Sequence, residues 1–185
     1  MKRLILVSVT TAVLSVAIAS GVHAAGLPAG QVDFGTFAPP GSGGEFVEVN
    51  ITSSLISFAA HLVEKEEPDV AELLRGLQLV HVNVVGLDEG NRTELERRVQ
   101  KVRRELDGNG WEKVVAVRQQ DQDVGIYLKT RDKDTVQGLV VTVVDANKQA
   151  VFINIVGDIK PEKLSVLGER LHIDPLKHLG KVTEN

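Results

Sequence analysis

The sequence predicts an α+β domain built on a largely antiparallel sheet, and three observations carry that expectation. Four strand-like runs follow one another in the second half with only short polar connectors between them. Connections that short return each neighbour antiparallel, which gives a four-stranded meander. Apolar positions at helical spacing are confined to the first half and the carboxyl end, so about four helices are segregated from most of the strands. The expected body is a single core over residues 45–179, with no internal repeat and no second domain.

The elements follow in order. Phe46 to Ile51 is a short strand. Ser53 or Ser54 can cap a helix whose apolar positions, Leu55, Ala59, Leu62 and Val63, share one face. The run Glu64-Lys65-Glu66-Glu67 and Pro68 ends it. Pro68 then suits the start of a second helix with Val70, Leu73, Leu74 and Leu77 as its apolar set and Gly76 as carboxyl cap. Leu79 to Val85 alternates: Val80, Val82 and Val84 face one way, His81 and Asn83 the other, which predicts a strand buried on one side only.

Asn91 with Glu94 three residues on has the form of a capping box. The helix it opens carries the stripe Leu95, Val99, Val102, Leu106 and stops at Gly108-Asn109-Gly110. The four consecutive strands are Trp111–Arg118, Val124–Thr130, Gly138–Asp145 and Ala150–Val156. Leu139, Val140, Val141, Val143 and Val144 put apolar groups on both faces of the third, which predicts a central position. A last helix from Pro161 carries Leu164, Leu167 and Leu171, and residues 180–185 are a polar tail.

The first segment reads as an address. Met1-Lys2-Arg3 precedes an apolar run from Leu4 to Ala19, and Val22-His23-Ala24 supplies a small-x-small site, so residues 1–24 are expected to be a signal peptide cut after Ala24. Retention as an anchor is the alternative, because the run is close to the roughly 17–20 residues that span a bilayer. Residues 25–44 hold Pro28, Pro39, Pro40 and Gly41-Ser42-Gly43-Gly44 and read as a flexible linker. Phe34 and Phe37 inside it are expected to be loosely ordered, with docking as the alternative.

Composition narrows the function classes. The 185 residues are 43% hydrophobic and 25% charged, which is a globular composition. The absence of Cys excludes disulfides, a thiolate nucleophile, sulfur-ligated zinc and a lipid on Cys. The net charge is −4, and removing Lys2 and Arg3 with the leader makes the remainder more negative. Export and acidity argue against nucleic acid and against anionic membrane surfaces as partners. The predicted location is periplasmic or extracellular, with no stable membrane span after cleavage.

The chemistry-bearing residues are scattered. His61, His81, His172 and His178 form no paired metal motif. His172, Asp174 and His178 lie close together in sequence, but surface histidines around a helix end are the commoner explanation. Asp121, Asp123, Asp132, Asp134 and Asp145 sit in turns, where Asp accepts local backbone hydrogen bonds, and they lack the alternation of a calcium loop. Glu48, Asp158 and Glu162 could do acid–base work only if brought together. No Gly-x-Ser-x-Gly elbow is present, and Gly86-Leu87-Asp88-Glu89-Gly90 lacks the Lys of a phosphate loop. Arg92, Arg97, Arg98, Lys101, Arg103 and Arg104 cluster on one helix, but Glu94, Glu96, Glu105 and Asp107 interleave with them, as on a solvated helix face. Asn50-Ile-Thr52 and Asn91-Arg-Thr93 match a glycosylation sequon, relevant only in a eukaryotic source.

Four runs together carry a resemblance: Gly-Trp-Glu-Lys-Val-Val-Ala-Val-Arg (110–118), Val-Gly-Ile-Tyr-Leu-Lys-Thr (124–130), Gly-Leu-Val-Val-Thr-Val-Val-Asp (138–145) and Ala-Val-Phe-Ile-Asn-Ile-Val-Gly-Asp-Ile (150–159). With Leu-Leu-Arg-Gly-Leu-Gln-Leu-Val-His-Val-Asn-Val (73–84) they resemble a bacterial family of exported proteins, the domain of unknown function DUF4252. The resemblance spans the folded part and implies an envelope location with no assigned activity. Members often carry a lipid-attachment Cys after the signal, which this chain lacks.

No catalytic, cofactor-binding or metal-binding residue is assigned, and no cofactor is expected. The reading is a non-catalytic envelope module that binds a protein partner or itself through a sheet face or edge, with an anionic lipid as a further possible ligand of the basic helix. The alternative is an envelope hydrolase in which two or more of His61, His81, Asp158 and Glu162 converge.

Overall fold

A computed structural model of the chain describes residues 27–41, 43–160 and 163. Within them the elements run β1 (Phe46–Thr52), α1 (Ser53–Val63), α2 (Pro68–Gly76), β2 (Leu77–Gly86), α3 (Arg92–Gly108), β3 (Glu112–Arg118), β4 (Gln122–Asp132), β5 (Thr135–Asp145) and β6 (Gln149–Ile159). All six strands form one sheet in the order β1-β2-β6-β5-β4-β3, and every neighbouring pair is antiparallel. The fold is α+β. The expected four-stranded unit is therefore part of a six-stranded sheet, joined to β2 and β1 through β6. The described residues hold three helices; the fourth expected one, from Pro161, lies outside them.

Strand alternation gives the sheet two apolar faces. On one, Val80, Ile126, Leu139, Val141, Ile153 and Ile155 meet Ile56 of α1 and Leu73 of α2. On the other, Val85, Tyr127, Val140, Val144 and Phe152 meet the α3 stripe Leu95, Val99, Val102 and Leu106. β5 lies between β4 and β6, with Val140 and Val141 both buried, so the doubly apolar run marks a central strand.

Residues 27–41 form an arm on the α3 face. Phe34, expected to be loosely ordered, is only 3% exposed and packs in that core with its ring centroid 5.5 Å from that of Phe152. Phe37 lies 4.8 Å from the same ring. The arm is held by Asn154 of β6: its Oδ1 accepts from the Val32 N–H (2.9 Å), and its Nδ2 donates to the carbonyls of Gly30 (2.9 Å) and Leu139 (3.2 Å). The approach is so close that a Cβ on Gly138 would sit 2.6 Å from the Gly30 Cα, and Gly30 itself has φ +87°. Only glycine meets both demands.

The arm also corrects the reading of β2. His81 and Asn83 were expected on a solvated face, yet Asn83 is buried and Phe34 lies over His81 at 6.0 Å between centroids. Three local expectations are corrected as well. β2 begins at Leu77, directly after α2. Gly76 is needed because a Cβ there would meet the Asp158 carbonyl oxygen at 2.7 Å, so its role is close approach to β6 and not a left-handed cap. Asn91 precedes α3, but its side chain makes no cap bond to the helix. Instead it donates to the Gly86 carbonyl and accepts from the Asp88 N–H, closing the loop before the helix.

α1 is turned differently from the stripe read in the sequence. Ile56 and Ala60 are the buried residues. Leu55 and Leu62, expected inside, are exposed.

Candidate functional site

The largest uncovered apolar feature among the described residues is the outward flank of α1. Leu55 is 54% exposed, Phe58 62% and Leu62 67%. Their spacing of three and four residues makes them one continuous stripe. The orientation of the stripe follows from a salt bridge. Glu64, one residue beyond α1, pairs with Arg75 of α2 at 2.6 Å, which fixes the side of the helix turned to α2. At 3.6 residues per turn, Leu55, Phe58 and Leu62 lie between about 120° and 180° round the axis from Glu64. α1 packs over β1 and β2, and α2 over β2 and β6. The stripe therefore faces away from α2, on the side of β1.

β1 is an end strand of the sheet. Its register with β2 is unbroken from Phe46 to Thr52, so the strand is regular along its whole length. Val47 shares a face with Ile51, four residues on, which packs in the α1 side of the core. Val47 is itself exposed. An exposed apolar group thus stands in the end strand on the face that α1 covers, and Glu48 is the one charged residue in the strand.

The other edge, β3, differs. It carries Glu112, Lys113 and Arg118, and its register with β4 breaks between Lys113 and Val115. Charge and irregular register are the usual means of keeping an edge from pairing.

The basic helix α3 is largely committed within the fold. Arg103 is buried: one Nη donates to both oxygens of Asp123 at 2.8 Å, and the Nε and the other Nη donate to the Thr142 hydroxyl at 3.1 and 3.0 Å. Arg98 donates to the Thr36 carbonyl at 2.6 Å, pairs with Glu94 and stacks over Phe37 at 4.6 Å, so it clamps the arm. Arg92 donates to the Ala146 carbonyl, Arg97 to that of Thr93, and Lys101 pairs with Glu105. A groove of about 770 Å³ runs between α3 and the segment 119–123, the loop after β3 and the start of β4, with Arg97, Lys101 and Arg104 on one wall and Asp121 and Asp123 on the other. Charges of both signs line it, so it presents no one-signed field to a ligand.

The residues weighed for catalysis stay apart. His61 is exposed on α1. His81 lies on the α3 face of β2, with Asn83 Nδ2 3.0 Å from its Nε2. Asp158 is on β6, paired with Arg131 at 3.0 Å. Glu48 is exposed on β1. Glu162, His172, Asp174 and His178 lie outside the described residues. Among the described residues no group of three His, Asp or Glu is placed to hold a metal ion. The turn carboxylates do local work: Asp132 accepts from the Asp134 N–H at 3.0 Å, and Asp145 from that of Asn147 at 3.1 Å. The first of these bonds is the main cause that holds the Asp132 carboxyl below its usual pKa. No described helix is long and apolar enough to cross a membrane.

The family model described as Domain of unknown function (DUF4252) matches residues 43–167. The chain belongs to that family. The DUF4252 span takes in all six strands and all three helices described above and begins after the arm, so Phe34 lies outside it while its partners His81 and Phe152 lie inside. No curated protein matches the chain, and no solved structure does.

The sequence contained one signal for the α1 flank. The helix has apolar residues at 55, 56, 58, 59, 60, 62 and 63, more than one buried face can use. Periodicity alone marks such a helix as amphipathic without choosing which of its apolar sides turns inward.

Proposed function

We propose that this protein is an exported envelope protein, released from its leader after Ala24, and that it works as a non-catalytic interaction module. One observation carries the reading: the exposed stripe Leu55, Phe58, Leu62 on α1, the helix that follows directly on β1, which is an end strand of the sheet among the described residues. Contiguous apolar surface of a few hundred Å² on a soluble chain is a feature of contact sites. A free strand edge adds backbone donors and acceptors that a partner can pair with. The leader-like residues 1–24 support the location, and the dispersion of His61, His81 and Asp158 gives no support to a hydrolytic centre.

The test is photo-crosslinking in the exporting cell, with a photoreactive amino acid in place of Phe58 in the full chain and, as comparison, in place of exposed Lys133. A discrete adduct from position 58 and none from position 133 is the expected result. Equal or absent labelling from the two positions overturns the reading.

A further inference from the structure

We infer that the partner of this surface is a second copy of the chain, docked about a two-fold axis that pairs β1 with β1 and packs α1 against α1. The inference rests on the interaction reading above and names its partner.

The argument begins with connectivity. Thr52 ends β1 and Ser53 begins α1 with no residue between them. The helix is therefore fixed relative to the strand edge, and its exposed flank lies on the same side as that edge. Any two-fold that brings two β1 edges together antiparallel also brings the two flanks together. One symmetry operation buries both features, which is the condition for an isologous contact.

The residue pattern is self-complementary. With the axis at Val49, the middle of the seven residues Phe46–Thr52, Val47 stands opposite the copy's Ile51, and Glu48 opposite its Asn50. Glu48, the strand's one charge, does not face itself. On the helices Phe58 lies near the axis and Leu55 meets the copy's Leu62. Ser53 to Val63 contains no Asp, Glu, Lys or Arg. A chain of net charge −4 meets its own copy with least repulsion through such a neutral surface.

The sizes agree with a real but modest association. The three side chains expose on the order of 100 Å² each. Over two copies these side chains supply about 600 Å², and the paired strand edges add to it, towards the roughly 1,200 Å² at which specific interfaces begin. The guarded β3 edge offers no equivalent site, so association stops at two chains.

Because the chain has no Cys, Val49→Cys introduces a single thiol. Residues directly opposite in an antiparallel pair have Cβ atoms ~4.5–5.5 Å apart, close to the span of a disulfide. The full chain carrying Val49→Cys should form a disulfide-linked dimer under mild oxidation, while Val114→Cys on β3 should stay a single chain. Light scattering of the unmodified chain should show its mass rising towards two chains between ~1 and ~300 μM. Phe58→Asp, a surface change checked for folding by circular dichroism, should shift that rise at least tenfold upward in concentration. A single-chain mass throughout, with Val49→Cys no more dimeric than Val114→Cys, overturns the inference. If the position-58 photo-adduct then contains a different protein, the interaction reading stands and only the second copy is excluded. If there is no adduct either, both fall.

Discussion

On the α3 face of the sheet a buried amide and a buried guanidinium fix what lies above it; on the α1–α2 face no buried polar side chain does so among the described residues. Asn154 ties the arm through two hydrogen bonds, from the Val32 N–H and to the Gly30 carbonyl, and a third to the Leu139 carbonyl anchors its amide on β5. Arg103 joins α3 to β4 and β5 through Asp123 and Thr142. Such bonds are directional, so the cover has one position. The opposite face is held by Ile56, Leu73, Val80, Ile153 and other aliphatic groups, whose attraction is non-directional. Its polar ties, such as Glu64–Arg75 and Lys160–Glu72, lie at the surface. The same residue type shows the contrast: Phe34 is sealed and Phe58 is open. The lesson is that the rigid face works as foundation, and the face held by oil alone is the one that leaves apolar surface for contact.

That contrast can be broken by matched truncations. Phe34→Ala should cost about 3–5 kcal/mol in urea unfolding, as for a buried aromatic, whereas Phe58→Ala should stay within about 0.5 kcal/mol for the single chain. Equal losses at the two positions would erase the distinction. Next in size, Arg103→Met should cost about 3 kcal/mol, at the low end for a broken buried pair because Asp123 retains some solvent. Asn154→Leu should cost about 1–3 kcal/mol by leaving the Val32 N–H and Gly30 carbonyl without their partner. It should also make the arm cleavable by protease before β1 is, and an arm as resistant as in the parent chain would show that Phe34 alone holds it.

The smallest effect concerns pH on the α2 side. The charge of Lys163, then the hydrogen bond from Lys160, holds the Glu72 carboxyl below its ordinary value of 4.5. A depressed carboxylate contributes stability above its unfolded pKa and loses it as pH falls through the folded one. Stability should therefore decline on acidification below about 4.5, slightly less steeply in Glu72→Gln than in the parent. Identical acid limbs for the two chains would show that this exposed cluster contributes nothing measurable, the common result for surface pairs.

Much of this architecture is legible in local pattern, because helix stripes and strand alternation are written at spacings of three to four and of two residues. Leu95, Val99, Val102 and Leu106 announce the buried side of α3, and Val140 with Val141 announces a strand covered on both faces. Turn carboxylates such as Asp132 and Asp145 are also read correctly from their neighbours. The interaction surface is not legible in that way. Leu55 and Leu62 fit an inward stripe as well as an outward one, and only the joint demands of Ile56, Ala60 and the Glu64–Arg75 pair turn them out.

By itself, then, the sequence determined the types of the elements, their order and the placement of β5 inside the sheet, since each depends on residues a few positions apart. The tertiary structure decided that the four later strands continue into β2 and β1, that Phe34 of the arm lies over His81, and that α1 shows an oily flank. Those outcomes depend on contacts between residues up to 124 positions apart, as between Asn154 and Gly30. Hydrophobic pattern says that a side chain prefers to be buried; it does not say which of several partners will bury it.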